Sequence, residues 1–381
     1  MTEPCKILYI SAPIGSGHVR AAKAMGSAIS QLDDKIVVDY VDFFNFFSPF
    51  IGKTILKSYF AILDIFPQLY GKMYGWGNTS PLALKGQELV SGYLAERIHR
   101  YIKQTKPDAI VCTHATPAGL TAHLIKKVGL TIPVFGVVTD FTVHRLWVYP
   151  ELTRYFVANE KMRDVLAHHG VSYEQSQALG IPVDLKFSVP YTKESLRTSF
   201  NLQPDCKTVL VMGGGAGVMP MTEIIKTCDQ VGIPLQVIAV AGNNKSLYRQ
   251  LEKLKMRLKH CDLKLYGYVD NIHELMAVAD LLISKPGGMT SAEALCAGLP
   301  MLIYRPIPGQ EEANTRYLVD KSAALRAGSL AQIKAAMIHL LVDNPSELEY
   351  IGKCAMGEGR PTAAPNIAEN ILETLKNGKS N

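Results

Sequence analysis

The fold of this chain is decided by Ser284–Tyr304, which reads SKPGGMTSAEALCAGLPMLIY. The mostly apolar segment Ala279 to Ser284 predicts a strand that ends where this stretch begins. Pro286-Gly287-Gly288 predicts a turn without bulky side chains, a helix is expected from near Thr290, and Gly-Leu-Pro precedes a second apolar strand. Strand, turn, helix and strand in this order form the crossover unit of parallel sheets. The sequence therefore predicts an α/β fold.

The turn in this stretch has the features of a phosphate-binding site. Glycines at the start of a helix leave backbone N–H groups open to a phosphate, and the helix dipole favours negative charge there. Glu293 lies one turn inside the expected helix. Because a carboxylate repels phosphate, its expected task is to accept hydrogen bonds from paired ribose hydroxyls, as acidic residues do in dinucleotide-binding folds. The stretch is therefore interpreted as a clamp for a nucleoside diphosphate.

Length and composition indicate a two-domain protein without a membrane-spanning helix. The chain has 381 residues, more than one ordinary core accommodates. Hydrophobic residues make up 48% and charged residues 19%, as in well-packed globular proteins. The apolar runs are far shorter than the roughly 20 residues of a membrane span, and the first residues do not have the pattern of a signal peptide. We expect a cytoplasmic protein.

Charge and cysteine content narrow the expected partners. The net charge of +6 favours an anionic partner, which could be a nucleotide, an anionic membrane surface or nucleic acid. Basic runs interleaved with aromatic residues are missing from the sequence, so no nucleic acid is expected. The seven cysteines form no Cys-x-x-Cys pair, which argues against zinc and against a disulfide framework. Asp-x-Asp, the usual carboxylate pair for a diphosphate-bound Mg²⁺, does not occur, so no metal is expected.

A second glycine-rich turn, near the N-terminus, carries a candidate general base. The predicted strand Lys6 to Ser11 is followed by Gly15-Ser16-Gly17-His18 and by a helix expected over Val19 to Leu32. The turn matches neither the dinucleotide fingerprint nor a P-loop, and such glycines also occur where a helix merely packs on a strand. His18, however, lies at the carboxyl end of the strand, where open α/β sheets bind ligands. Its imidazole could act as a base near neutral pH.

Asp140 is the second candidate for acid–base chemistry. It follows the predicted strand Val134 to Val138, at the same edge of the sheet as His18. An aspartate in this position fits the N-cap of a following turn equally well, so the sequence leaves both roles open.

An aromatic-rich segment at about residues 43–76 follows the second predicted strand. One interpretation is a pair of core helices, because an aromatic stripe at helical spacing is normally buried. The other is a membrane-facing lid, with aromatic side chains among the lipid headgroups and lysines against anionic lipid. The lid interpretation assigns these side chains to the membrane and the acceptor: Phe43, Phe44, Phe47, Phe60, Phe66 and Trp76.

The second half of the chain repeats the opening plan of the first. The predicted strand Thr208 to Met212 runs into Gly213–Gly217, another glycine-rich first turn. Two doubly wound, Rossmann-like halves predict two domains that face each other across a cleft. The expected boundaries are a first domain at 1–183, a linker with a short helix at 184–204, a second domain at 205–362 and a C-terminal helix at 363–381 that packs back towards the first domain.

The segment Arg305–Asn314, which follows the clamp, is dense in amide and carboxyl groups. Such groups suit a polyhydroxylated sugar, and a loop with Pro308 and Gly309 can present them without a helix that blocks access. The alternative is an ordinary helix N-terminus, where the dipole favours glutamate.

Four motifs together closely resemble one enzyme family. They are Gly15-Ser16-Gly17-His18, Thr139-Asp140-Phe141, Gly267–Ile272 and the run from Ser284 to Asn314. The resemblance is to the processive diacylglycerol glucosyltransferases and monogalactosyldiacylglycerol synthases, which are GT-B glycosyltransferases of family 28, and it spans essentially the whole chain. It implies an inverting transfer of a hexose, with glucose preferred to galactose, from a UDP-sugar to membrane diacylglycerol, and further additions to the glycolipid.

The resemblance also implies a role for each motif. His18 falls on the active-site histidine of the family, and residues 43–76 fall on its membrane-contacting region. The donor-binding residues that it implies are Tyr268 and Val269 for uracil, Glu293 for ribose, Gly288, Met289, Thr290 and Ser291 for the diphosphate, Gln310, Glu311 and Asn314 for the sugar, and Gly17 and Gly215 elsewhere along the nucleotide-sugar.

This reading needs no cofactor. Negative charge on the leaving diphosphate would be stabilised by the helix start at Thr290 and by nearby N–H groups. The expected partners are a UDP-sugar, diacylglycerol and an anionic membrane surface, with the protein peripheral on the inner face of the cell membrane. The alternative is a UDP-sugar-binding protein of the same fold that acts on a soluble ligand, either an enzyme of the epimerase type or a sensor.

Overall fold

The computed structural model describes residues 4–12, 16–47, 81–214 and 219–379, and the side chains of all of these except 81–92 and 379. The chain divides into two compact units, Met1–Leu185 with Pro361–Asn381, and Lys186–Arg360. In the described part of each unit, a six-stranded parallel sheet is covered by helices. The predicted α/β class with two doubly wound domains is confirmed.

The sheet of the first unit has the strand order β2-β1-β3-β4-β5-β6, and every pairing in it is parallel. The strands are β1 (Lys6–Ser11), β2 (Val37–Asp42), β3 (Ala109–Cys112), β4 (Val134–Val137), β5 (Arg154–Val157) and β6 (Ser176–Ala178). The central strands β3 and β4 are buried along their whole length, because helices cover both faces of the sheet. Residues that follow β1, β3 and β4 therefore emerge side by side at one edge.

Helices pack on both faces of this first sheet. The helices of the described part are α1 (Gly17–Leu32), α2 (Pro81–Thr105), α3 (Ala115–Val128), α4 (Glu160–His168) and a C-terminal helix (Ala363–Lys379). The C-terminal helix buries Ala364, Ile367, Ala368 and Ile371, spaced by three and four positions, in one core cluster with β1 and α1. The structure thus places this helix in the first unit.

The second unit repeats the plan with the strand order β12-β11-β10-β7-β8-β9, again entirely parallel. The strands are β7 (Lys207–Met212), β8 (Leu235–Val240), β9 (Cys261–Tyr266), β10 (Leu281–Ser284), β11 (Met301–Tyr304) and β12 (Ala324–Ala327). The helices are α5 (Lys193–Ser199), α6 (Met221–Asp229), α7 (Lys245–Lys255), α8 (Ile272–Val278), α9 (Gly288–Cys296), α10 (Gln310–Asp320), α11 (Leu330–Ile338) and α12 (Pro345–Glu358).

The predicted linker at 184–204, which was expected to include a short helix, lies almost entirely within the second unit. Helix α5 lies within it, and two of its basic side chains bind Asp280: Lys193 at 2.8 Å and Arg197 at 3.1 Å. The same carboxylate accepts the backbone N–H of Thr208, at the start of β7, at 2.7 Å. One acidic side chain thus anchors α5 to the second sheet.

The start of the aromatic segment is also corrected. Phe43 begins a single 3₁₀ turn that Asp42 caps by accepting the N–H of Phe44 at 2.8 Å. Phe43 and Phe46 are each 4% exposed and belong to the hydrophobic core of the first unit, and Phe44 and Phe47 are partly buried against that core. The expectation that the Phe43 ring contacts a membrane is therefore wrong.

The remaining aromatic residues of the proposed lid, Phe60, Phe66 and Trp76, lie outside the described residues. Within the described ranges, none of the helices combines the length and the apolar character needed to span a bilayer.

Candidate functional site

His18 is the second residue of α1 and lies where β1 has just ended. The helix forms here because an alanine-rich face, with Ala21 and Ala22 fully buried, packs onto the sheet. His18 Nδ1 is 2.8 Å from the carbonyl oxygen of Thr113 and 2.8 Å from the hydroxyl oxygen of Thr139. Thr113 follows β3 and Thr139 follows β4, so three neighbouring strand ends hold one imidazole.

These contacts fix the tautomer of His18. A carbonyl oxygen only accepts hydrogen bonds, so Nδ1 must carry the proton and donate it to Thr113, and the Thr139 oxygen accepts as a second partner. In the neutral ring, the lone pair is then on Nε2. Nε2 is therefore the basic atom of this side chain.

Burial and charge act on His18 in opposite directions. Burial lowers the pKa of His18 below its ordinary value, while the negative charge of Asp140 and the hydrogen bond to Thr113 partly offset this. The ring is thus neutral near pH 7 and can accept a proton, and the imidazolium that results would be stabilised by Asp140. The structure brings the two predicted acid–base residues into one electrostatic site.

Two further histidines in this site were not assigned a role from the sequence. The rings of His18 and His114 lie edge to face, with centroids 4.8 Å apart and planes at 87°. Burial, and to a lesser extent the charges of His18 and His144, holds the pKa of His114 well below its ordinary value. Burial also lowers the pKa of His144 to about 4, and the charge of His18 acts in the same direction. Their position after strand ends, as for His18, was the available signal.

These rings do not make a metal centre. Among the residues that the structure describes, no three His, Cys, Asp or Glu side chains are grouped so that they could hold a metal ion.

In the second unit, the glycine turn leads directly into α9, which begins at Gly288, two residues before the expected start at Thr290. Gly287 is the extended N-cap, and the N–H of Ser291 already donates to its carbonyl oxygen at 2.9 Å. The N–H groups of Gly288, Met289 and Thr290 precede this first helical bond, and in an α-helix such groups have no intrahelical acceptor. They are the three candidates for diphosphate binding.

Ser291 differs from the expectation, since its N–H is used within the helix and its side chain is fully buried. Ser291 therefore offers a diphosphate no free N–H group, and its role as a diphosphate ligand stays a prediction.

Glu293 lies on the buried face of α9 and is 0% exposed. Burial raises the pKa of the Cys296 thiol to about 12, and the Glu293 charge acts in the same direction. Because the Glu293 side chain is fully buried, its orientation is set by the packing of the second unit. Its role as a ribose ligand stays a prediction.

The predicted sugar-binding loop is the first turn of a helix, because α10 begins at Gln310, after Gly309 with φ of 105°. Residues 310–314 are thus a helix N-terminus rich in glutamate, and the sugar-binding roles of Gln310, Glu311 and Asn314 stay predictions. Glu311 accepts the N–H of Ile307 at 2.6 Å, and fully buried Asn314 donates to the Pro286 carbonyl oxygen at 3.0 Å. Asn314 thus fixes the turn that precedes α9.

The other predicted donor-binding residues differ in accessibility. Gln310 is partly exposed at the start of α10, and Gly17 is partly exposed at the start of α1. After β9, Tyr268 is 61% exposed and Val269 is partly buried. Gly215 lies outside the described residues. The structure thus places Gln310, Tyr268 and the start of α9 at the carboxyl edge of the second parallel sheet, and the roles assigned to them stay predictions.

Comparison with known proteins identifies relatives over both units. The family model "Monogalactosyldiacylglycerol (MGDG) synthase" matches residues 18–183, and "Glycosyltransferase family 28 C-terminal domain" matches residues 208–331. A processive diacylglycerol beta-glucosyltransferase of Bacillus cytotoxicus is 32% identical over 377 residues, which cover 98% of this chain and 95% of the relative. The corresponding Bacillus cereus protein is 32% identical over 378 residues, 98% of this chain and 94% of the relative.

Solved structures show the same fold. The crystal structure of Acinetobacter baumannii MurG has a TM-score of 0.66 and 16% identity, and covers 97% of this chain and 100% of its own. The UDP-GlcNAc 2-epimerase of Neisseria meningitidis, bound to UDP-GlcNAc, has a TM-score of 0.62 and 15% identity, with coverage of 97% and 100%. At these identities the likeness concerns the fold, and it confirms the predicted class.

Proposed function

Because the chain belongs to the family of the processive diacylglycerol β-glucosyltransferases, we propose that it transfers glucose from UDP-glucose to membrane diacylglycerol and extends the glycolipid by further transfers. The observation that carries the proposal is the 32% identity over 98% of the chain, which includes both units. The solved structures at 16% identity and below support the fold and do not distinguish this activity from that of an epimerase.

On the acceptor side, His18 is the proposed general base. Its Nε2 removes the proton from the acceptor hydroxyl as that oxygen attacks the anomeric carbon of the sugar, and UDP leaves from the opposite face, so the configuration inverts. The carboxylate of Asp140 stabilises the imidazolium formed in this step. The support is the bond from Nδ1–H to Thr113, which leaves the Nε2 lone pair available.

On the donor side, the second unit holds UDP. The N–H groups of Gly288, Met289 and Thr290 receive the diphosphate and stabilise the charge that develops on the leaving group. Glu293 binds the ribose hydroxyls, backbone around Tyr268 and Val269 holds uracil, and Gln310 at the start of α10 contacts the sugar. No step requires a metal ion, so we expect turnover to survive chelation with EDTA.

A membrane surface is the proposed partner of the first unit, at the cytoplasmic face of the cell membrane. The support is the lipid acceptor in the names of the relatives, the net charge of +6 and the aromatic content of residues 43–76. Flotation with liposomes tests it: binding is expected to increase with anionic lipid and to fall in a Phe60→Ser/Phe66→Ser/Trp76→Ser variant that still binds UDP-glucose. Equal flotation of this variant would refute the assignment.

The activity itself is tested with purified protein, diacylglycerol liposomes and radiolabelled UDP-glucose or UDP-galactose. Thin-layer chromatography should show labelled monoglucosyl and then diglucosyl lipid from UDP-glucose, and much less product from UDP-galactose. A protein that produces no labelled lipid but epimerises or merely binds the nucleotide-sugar would support the soluble-ligand alternative instead.

A further inference from the structure

We propose that His114 is a second acceptor-site residue, whose Nε2–H donates a hydrogen bond to an oxygen of the acceptor next to the hydroxyl that His18 activates. The proposal rests on the proposed function of the site. It gives a role to a histidine that lies edge to face with the base, at a ring-centroid distance of 4.8 Å.

The first step of the argument is the tautomer of His114. This residue is the N-cap of α3, and its Nδ1 accepts the backbone N–H of Thr116 at 3.1 Å. A nitrogen that accepts a hydrogen bond cannot carry the proton in the neutral ring, so the proton is on Nε2. His114 and His18 are therefore opposite tautomers: one presents an N–H and the other a lone pair.

The second step is that this donor persists without charge. Burial holds the pKa of His114 well below its ordinary value, and the neighbouring rings of His18 and His144 act in the same direction. When His18 takes up a proton during turnover, His114 stays neutral. An uncharged donor beside the base can thus hold an oxygen without competing for the transferred proton.

The third step is that the donor is available. The His114 side chain is partly exposed, and no residue within the described ranges accepts a hydrogen bond from its Nε2–H. Because β1 and β3 are adjacent parallel strands, His18 and His114 emerge at the same edge of the sheet. Since the ring centroids are 4.8 Å apart, a substrate hydroxyl at His18 lies close to the His114 ring.

Two adjacent rings, one with a lone pair and one with an N–H, can together hold an acceptor that has oxygens on adjacent carbons. Oxygens in such an O–C–C–O unit are about 3 Å apart, close to a hydrogen-bond length. Diacylglycerol has this unit, with the ester oxygen next to the free hydroxyl, and a glucosyl lipid also has it, with the ring oxygen next to the 6-hydroxyl. One donor thus serves both the first transfer and a later one.

The test uses two substitutions that separate the two ring nitrogens. Asn in His114→Asn keeps an oxygen that can cap α3 but loses the distal donor, while Gln in His114→Gln keeps a distal N–H but loses the cap. We expect His114→Asn to reduce kcat/KM for diacylglycerol about tenfold. His114→Gln should keep most of the turnover while its Tm falls by about 2 °C. The opposite order of activities would show that His114 only caps the helix.

A second comparison varies the acceptor. A long-chain primary alcohol lacks the neighbouring oxygen, so we expect the rate at which it is glucosylated to be the same in His114→Asn as in wild type, while the rate with diacylglycerol falls. Equal losses with both acceptors would overturn the inference although the enzyme is active. If wild-type protein makes no glucolipid, the proposed function fails first, and the inference falls with it.

Discussion

His18 Nδ1 lies 2.8 Å from the main-chain carbonyl oxygen of Thr113, a residue 95 positions away in the chain. The two residues meet because β1 and β3 are neighbours in a parallel sheet. A main-chain acceptor cannot be removed by substitution and only accepts, so it holds the ring in one tautomer before any substrate arrives. The chemistry assigned to this protein depends on that contact.

Substitution of the base should abolish turnover but not donor binding. His18→Ala is expected to reduce kcat by about 10² to 10⁴, the usual contribution of a general base. UDP-glucose affinity, measured by calorimetry, should stay within twofold, because the residues proposed to hold UDP belong to the second unit. His168→Ala, an exposed histidine at the end of α4, is the matched control and should retain full activity. Unchanged turnover in His18→Ala would remove His18 from the mechanism.

The pH profile should show a base with a lowered pKa. Since His18 must be neutral to accept a proton, log(kcat/KM) should be flat near pH 7 and should fall only below about pH 6.5, the ordinary pKa of histidine. Asp140 raises the pKa of His18, so Asp140→Asn should move this acidic limb to lower pH as well as slow the reaction. A limb that moves upward would contradict the electrostatic effect of Asp140 on His18, and complete loss of activity in Asp140→Asn with an intact fold would indicate that Asp140 is itself the base.

Glu293 should matter for binding more than for chemistry. Glu293→Gln keeps the size of the buried side chain but weakens its ability to accept two ribose hydrogen bonds, so Kd for UDP-glucose should rise about tenfold or more. 2′-Deoxy-UDP-glucose provides the control, because its affinity should change much less than that of UDP-glucose. If the two ligands lose affinity equally, Glu293 acts on the structure of α9 and not on the ribose.

The contacts of α5 predict that substitution of its two basic side chains, Arg197 and Lys193, lowers the free energy of unfolding by different amounts. Arg197 is 11% exposed and also bonds the Cys206 carbonyl oxygen and the Thr208 hydroxyl at 3.0 Å each, whereas Lys193 is 39% exposed. Arg197→Met should therefore lower the free energy of unfolding by about 2–3 kcal/mol, because it leaves buried acceptors without partners. Lys193→Met should cost less than about 1 kcal/mol. Urea unfolding measures the loss of free energy in each variant, and equal losses would contradict the larger structural role of Arg197.

Much of the fold could be predicted because its signals are local. Buried strands such as Val134–Val137 are short apolar runs, and glycine turns mark the helix starts at Gly17 and Gly288. The boundaries were less accurate: α9 begins two residues before its expected start, and the expected linker belongs almost entirely to the second unit. The anchor of α5 is an ion pair with Asp280, more than 80 residues away, and a local pattern contains no information on such a contact.

Only part of the site could be predicted, because local patterns reveal strand ends but not contacts between distant residues. His18 and Asp140 were found because each follows a strand; His114 also follows a strand, but its importance depends on which strand lies next to β1, and the local sequence does not contain that information. Phe43, by contrast, was given a role that it does not have. A hydrophobic side chain in an aromatic-rich segment suits a membrane contact and a protein core equally well. Only the packing of Phe43 within the core of the first unit separates the two.

The sequence by itself determined the α/β class, the repeated doubly wound plan and the identity of the residues at the strand ends, because periodicity and turn chemistry act over a few residues. The tertiary structure alone decided which of those residues meet. It brought Thr113, Thr139 and His114 around His18, and it fixed which ring nitrogen carries the proton in each histidine. The physical reason is that hydrogen bonds and burial, which set tautomer and pKa, are made between strands distant in the chain.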